Sequence, residues 1–170
     1  MSDLKDKSKR ILIIGDSGRG KSTLAKVLSQ KSNIKYYSTD DFYWKKKFSI
    51  PESKEISSQK ILKIYHQDSW IVEGSTRGLI REGLVKSDLI IYLSYKNLVS
   101  QFWFLFKRNL TRKEEKFYNL FNLYKHLICK KYKIGPQKNK ESLEEMTIPY
   151  QSKIIRLNSF KEINNFINKF

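Results

Sequence analysis

Gly15-Asp16-Ser17-Gly18-Arg19-Gly20-Lys21-Ser22 satisfies the pattern G-x-x-x-x-G-K-[ST], a spacing whose chemistry is the holding of phosphate. Glycines let backbone N–H groups turn inward and approach an anion with no Cβ in the way. The Lys21 ammonium then reaches the β- and γ-phosphates of a nucleotide such as ATP, and the Ser22 hydroxyl is suited to ligate Mg²⁺. Residues Gly15, Asp16, Ser17, Gly18, Arg19, Gly20, Lys21, Ser22 and Thr23 are thus the candidate nucleotide-binding set. Such a loop needs a strand before it and a helix after it. Ile11 to Ile14 form a continuous apolar run, as a buried parallel strand requires, and Leu24, Val27 and Leu28 fall on one face of a helix from Lys21 to Gln30. The new helix adds the positive end of its dipole to the loop's amides.

The remaining elements must bring other side chains to this loop. A second strand is expected over Lys35 to Ser38, a loop over Ser49 to Glu55 and a helix over Ser57 to Gln67. A third strand is expected at Trp70-Ile71-Val72, a helix to about Val85, a fourth strand over Leu89 to Leu93 and a fifth over Lys153 to Leu157. A closing helix uses Phe160, Ile163, Phe166 and Ile167 at helical spacing. Strands alternating with helices predict an α/β fold: a five-stranded parallel sheet between helical layers. Between strands four and five, Phe102, Leu105 and Phe106 suit a docked helix. Asn109 to Lys113 interrupt the apolar pattern, and Phe117, Leu120, Phe121, Tyr124 and Leu127 resume it. The basic break reads as a short lid over about 107–116.

Phosphoryl transfer demands positioning and charge neutralisation more than covalent help. Lys21 and Ser22 supply one side of such a site. Arg77 is available from the end of strand three, and Arg108 with Arg112 from the lid. Closure there would exclude water. Asp40 follows strand two, at the sheet edge where open α/β sheets gather their ligands. Its carboxylate suits accepting a proton from an acceptor hydroxyl or anchoring metal-bound water. Asp41, its neighbour, ranks below it, since adjacent residues rarely face the same way. For Asp40 the competing use is a helix N-cap; for Arg77, Arg108 and Arg112 it is surface charge.

With 170 residues the chain suits one domain. Its charged first ten residues and the early end of the apolar run at Gly15 read as no secretory or membrane segment. The segment Gln101 to Phe106, bounded by Lys96 and Lys107, is too short to span a bilayer. A lone Cys129 forms no internal disulfide, and a cytoplasmic setting is expected. His126 and Cys129 fall short of the four ligands of a zinc site. The formal charge of +17 admits a nucleic-acid partner, with the densest basic stretch at Lys107 to Lys133. Charge alone speaks to nonspecific attraction. Neither Asn-Lys-x-Asp nor Asp-x-x-Gly occurs where a GTPase would need it.

The chain resembles the P-loop kinases related to adenylate kinase, and within them the adenylate-kinase-like proteins often called DNA topology modulation proteins. The loop G-x-x-G-x-G-K-S-T carries the resemblance, supported by Thr39-Asp40-Asp41-Phe42-Tyr43-Trp44 after strand two and Trp70-Ile71-Val72-Glu73-Gly74-Ser75-Thr76-Arg77 at strand three. The first of these segments is also similar to the Asp-x-Phe-Tyr stretch of uridine-kinase-like enzymes. The resemblance implies Asp40, Asp41, Tyr43 and Arg77 on the acceptor side. It also implies Glu73 near magnesium through water, where Asp is usual. Ser94-Tyr95-Lys96-Asn97 departs from the group's Asp-x-Pro-Arg. The implied activity is transfer of the ATP γ-phosphate, with Mg²⁺, to a small acceptor such as a nucleoside or nucleoside monophosphate. The alternative is an ATP-binding protein associated with nucleic acid.

Overall fold

The computed structural model describes residues 8–46, 50–94 and 141–170, with Lys125 and Cys129 besides. Arg108, Arg112, the lid over 107–116 and nearly all of the basic stretch 107–133 lie outside the described residues, as does the docked helix around Phe102.

The first strand, β1 (Arg10–Gly15), is the central strand of the main sheet. Ile11, Leu12, Ile13 and Ile14 are all fully buried, because the strand is covered on both faces. Ile11 and Ile13 point to one side, into a core built with Leu24 and Leu28 of α1 (Lys21–Ser32) and with Ile163 and Phe166 of α6 (Phe160–Lys169). Leu12 and Ile14 point to the other. There they meet Ile61 and Tyr65 of α3 (Lys54–Tyr65), Ile80 and Leu84 of α4 (Arg77–Lys86) and Met146 of α5 (Leu143–Thr147). The period-two alternation of one apolar strand therefore produces three layers.

Around β1 stand β5 (Trp70–Gly74) and β6 (Leu89–Leu93), with β2 (Tyr36–Ser38) outside β5 and β7 (Ile154–Leu157) outside β6. All four pairings are parallel, and the order is β2-β5-β1-β6-β7. The expected five-stranded parallel sheet is present, and β1 lies where the chain order reverses, the place where such sheets bind ligands. The strand that precedes Asp40 is not next to β1 but one strand further out, beyond β5.

Several boundaries differ from expectation. A short antiparallel pair joins β3 (Trp44–Lys46) to β4 (Ile50–Pro51), and β4 lies in the stretch read as a loop; strands this brief carry no periodicity to read. The following helix starts at Lys54 rather than Ser57, because Ser53 caps it by accepting a hydrogen bond from the Ile56 N–H at 3.2 Å. Ser57 is instead buried and donates to the Phe42 carbonyl at 2.9 Å. The helix α5, opened by a capping box between Ser142 and Glu145, and the 3-10 turn Ile148–Lys153 were not anticipated. Among the described residues no helix is long and apolar enough to cross a membrane.

Candidate active site

The loop between β1 and α1 turns through two left-handed glycines, Gly18 at φ 78° and Gly20 at φ 85°, a conformation that costs other residues dearly. Gly20 is also the N-cap of α1, and no side chain caps that helix. The first-turn N–H groups of a twelve-residue helix, with their share of the dipole, therefore face the space in front of the loop. Gly15 lies beneath, where a Cβ would stand 2.5 Å from the Leu93 carbonyl oxygen of the neighbouring strand. Lys21 folds back over the loop and donates to the Asp16 carbonyl at 2.9 Å.

In front of the loop is a cavity of about 320 Å³, lined by residues 17–23 and, across from them, by Asp40, Glu73, Gly74, Ser75 and Phe160. Every expected loop residue from Ser17 to Thr23 thus faces it. Arg19 is the most buried charged residue of the loop, 6% exposed. Asp16 contributes its carbonyl to Lys21, and its carboxylate acts on Tyr92 of β6. The Tyr92 hydroxyl is pushed up to about 12, by burial first and then by the Asp16 and Glu144 carboxylates.

Two carboxylates arrive from different elements, one from a strand and one from a short helix. Glu73 is 4% exposed, and its Oε1 accepts a hydrogen bond of 2.9 Å from the Ser22 hydroxyl, fifty-one residues earlier in the chain. Asp40 is delivered by α2 (Thr39–Tyr43) and stays exposed at the cavity wall. The Asp40 N–H donates to the Ser38 hydroxyl at 3.3 Å, so Ser38 caps that helix and Asp40 does not.

Other expected residues stand further off. Asp41 is exposed and outside the cavity wall, and the Tyr43 ring meets Trp44 edge-on at 4.8 Å rather than lining the cavity. Arg77 opens α4, two residues beyond the lining Ser75, and does not itself line the cavity. Phe160 was expected on the core face of the last helix. Its ring is instead 41% exposed and passes close to Gly20. The legible signal was Ser159, whose hydroxyl accepts from the Glu162 N–H at 3.2 Å and starts the helix just after β7, at the same sheet edge as the loop.

A serine hydroxyl beside a carboxylate is a donor set of hard oxygens, which suits Mg²⁺. Among the described residues no group of three or more His, Cys, Asp or Glu is gathered. The residues that could hold such an ion here are Ser22 and Glu73.

No family model matches the chain. A Bacillus subtilis (strain 168) protein, the uncharacterized YqaC, is 35% identical over 89 residues, which span 50% of this chain and 48% of that relative. The chain thus matches about half the length of that curated relative. Shikimate kinase from Acinetobacter baumannii, solved with shikimate, superimposes with a TM-score of 0.60 over 99% of this chain and 94% of that one, at 14% identity. Shikimate kinase from Bacteroides thetaiotaomicron gives 0.58 over 95% and 96%, at 15%. A gluconokinase from Sinorhizobium meliloti 1021 gives 0.54 over 94% and 87%, at 14%. At such identities the likeness is one of fold: these kinases share with this chain a three-layer α/β arrangement around a five-stranded parallel sheet.

Proposed function

We propose that this chain is a P-loop phosphotransferase that moves the γ-phosphate of ATP to a small acceptor, with Mg²⁺ as its ion. The observation that carries the reading is the Ser22–Glu73 hydrogen bond in a cavity walled by the glycine loop and Asp40. Phosphate, metal and acceptor each have candidate partners there. Residues 15–23 hold the phosphates through amides and through Lys21, which exchanges its hold on the Asp16 carbonyl for phosphate oxygens. Magnesium, when bound, neutralises charge on the β- and γ-oxygens. Glu73 orients the Ser22 hydroxyl. Asp40 takes the acceptor's proton, and Phe160 offers a flat apolar face to the nucleotide's base. Arg77 reaches the acceptor or the transferring group from the start of α4, while Arg108 and Arg112 close over it from the lid. Asp41 and Tyr43 shape the acceptor side at greater distance.

The acceptor class is read as a nucleoside or nucleoside monophosphate, from the Asp-x-Phe-Tyr likeness of residues 40–43. The chain is read as a single domain acting in the cytoplasm. A panel of nucleosides, nucleoside monophosphates, shikimate and gluconate, each incubated with [γ-³²P]ATP and Mg²⁺, tests both the reaction and the acceptor. Label transferred to a nucleoside or its monophosphate supports the reading. Label transferred to shikimate or gluconate would replace the acceptor class, and transfer to none of them would remove the kinase assignment.

A further inference from the structure

Thr39 and Gly74 touch at the carboxyl ends of β2 and β5, one residue beyond the register pair Ser38 and Glu73. Gly74 is not among the left-handed glycines, which are Gly15, Gly18 and Gly20, so its backbone does not demand glycine. What demands it is space. A Cβ at position 74 would lie 2.6 Å from Thr39 Cγ2 and 2.7 Å from Thr39 Cβ, and closer still to Oγ1. Thr39 is fully buried, and its hydroxyl has no hydrogen-bond partner. A buried hydroxyl left unpaired is destabilising. The contact is therefore one of shape, retained although the side chain gains no polar bond from it.

The two residues flanking this contact are the two carboxylates of the cavity. Glu73 precedes Gly74 and is tied to Ser22, while Asp40 follows Thr39 in a helix of only five residues. That helix is pinned at its start by the Ser38 cap and at its end by the bond from Ser57 to the Phe42 carbonyl. It can shift as a body but has little length in which to absorb strain. We propose that the Thr39–Gly74 contact is the spacer that sets the reach of Asp40 across the cavity, making Gly74 and Thr39 positioning residues for transfer. This rests on the phosphotransferase reading of the same cavity.

Gly74→Ala tests it, with Mg·ATP as nucleotide and water as acceptor, so that no other substrate need be known. The variant should keep its circular dichroism spectrum and bind Mg·ATP within about threefold of wild type, because the loop and α1 are untouched. Single-turnover hydrolysis should fall by about 10²-fold, the scale of a displacement of roughly 1 Å at a reacting group. The double variant Gly74→Ala with Thr39→Gly removes the overlap from the other side and should regain at least about tenfold of the loss. If Gly74→Ala fails to fold, the double variant should fold and hydrolyse. Hydrolysis by Gly74→Ala within about threefold of wild type would overturn the inference. So would a double variant that shows no recovery. Absence of Mg·ATP binding by the wild type would overturn the phosphotransferase reading itself, and this inference with it.

Discussion

The two ends of the central sheet spend their polar groups in opposite ways. At the amino end, Asp88 accepts from the backbone N–H of Arg10 at 2.9 Å and of Lys9 at 3.2 Å, and pairs with the Arg10 guanidinium at 2.7 Å. Nearby, Lys153 donates to the carbonyls of Val85 and Ser87 at 2.8 and 2.7 Å, closing the end of α4. Burial lowers the Lys153 ammonium below its ordinary value. At the carboxyl end, the glycine loop leaves the first N–H groups of α1 uncapped by any side chain, and Asp40 and Glu73 face the same cavity. The amino-end hollow is the larger, about 690 Å³ against 320 Å³. Size does not mark the site. What marks it is the glycine loop, the side-chain-uncapped start of α1 and two carboxylates meeting around one cavity.

Breaking the carboxyl end should abolish chemistry and spare the fold. Lys21→Ala removes a cation from the phosphate chain and should lower turnover by about 10³-fold, at the upper end of what one fixed electrostatic group contributes. Because Lys21 belongs to neither hydrophobic core cluster, the melting curve should stay near wild type, and scanning calorimetry beside a turnover assay reads both. Asp40→Asn should lower transfer by about 10²-fold with Mg·ATP affinity unchanged, as for loss of a positioned base. Since Ser38 rather than Asp40 caps α2, no stability should be lost. A parallel fall in nucleotide affinity would move Asp40 to the metal, and unchanged transfer would move the search to Asp41.

Breaking the amino end should do the reverse. Burial pushes the Asp88 carboxyl up, but the hydrogen bonds and charge of Arg10 outweigh it, and the group sits below its ordinary value of 3.8. A depressed carboxyl contributes stability that is present above about pH 4 and is lost as pH falls through the lowered value. With the Arg10 side chain 42% exposed, solvent screens much of the pair. Asp88→Asn should therefore cost only about 1 kcal/mol near neutral pH, a fall in Tm of roughly 2–4 °C. The difference from wild type should shrink in acid, and nucleotide affinity should not change. A loss of ATP binding in this variant would show that the two ends are not independent.

The comparison also explains what was readable beforehand. The four-residue apolar run before Gly15 has the length and composition of a strand buried on both faces, and the loop after it carries its chemistry in consecutive residues. Glu73 needed a second strand to reach Ser22, and only the likeness of Trp70–Arg77 to the strand-three segment of the P-loop kinases nominated it. Phe160 was misread because the first turn of an amphipathic helix can expose a residue whose spacing matches the core. Gly74 and Thr39 gave no separate signal, since their contact depends on the packing of two strands thirty-five positions apart. The brief β3 and β4 fell below the length at which alternation can be detected.

The central claim is that the loop holds the phosphates of a magnesium nucleotide. Calorimetric titration of ATP into the wild-type chain tests it most directly, once with Mg²⁺ and once with excess EDTA, and again with Lys21→Ala. The account predicts one site per chain, at least about tenfold tighter with Mg²⁺, and a loss of about tenfold or more in the variant. No binding at millimolar ATP, or binding that ignores both Mg²⁺ and Lys21, would contradict it.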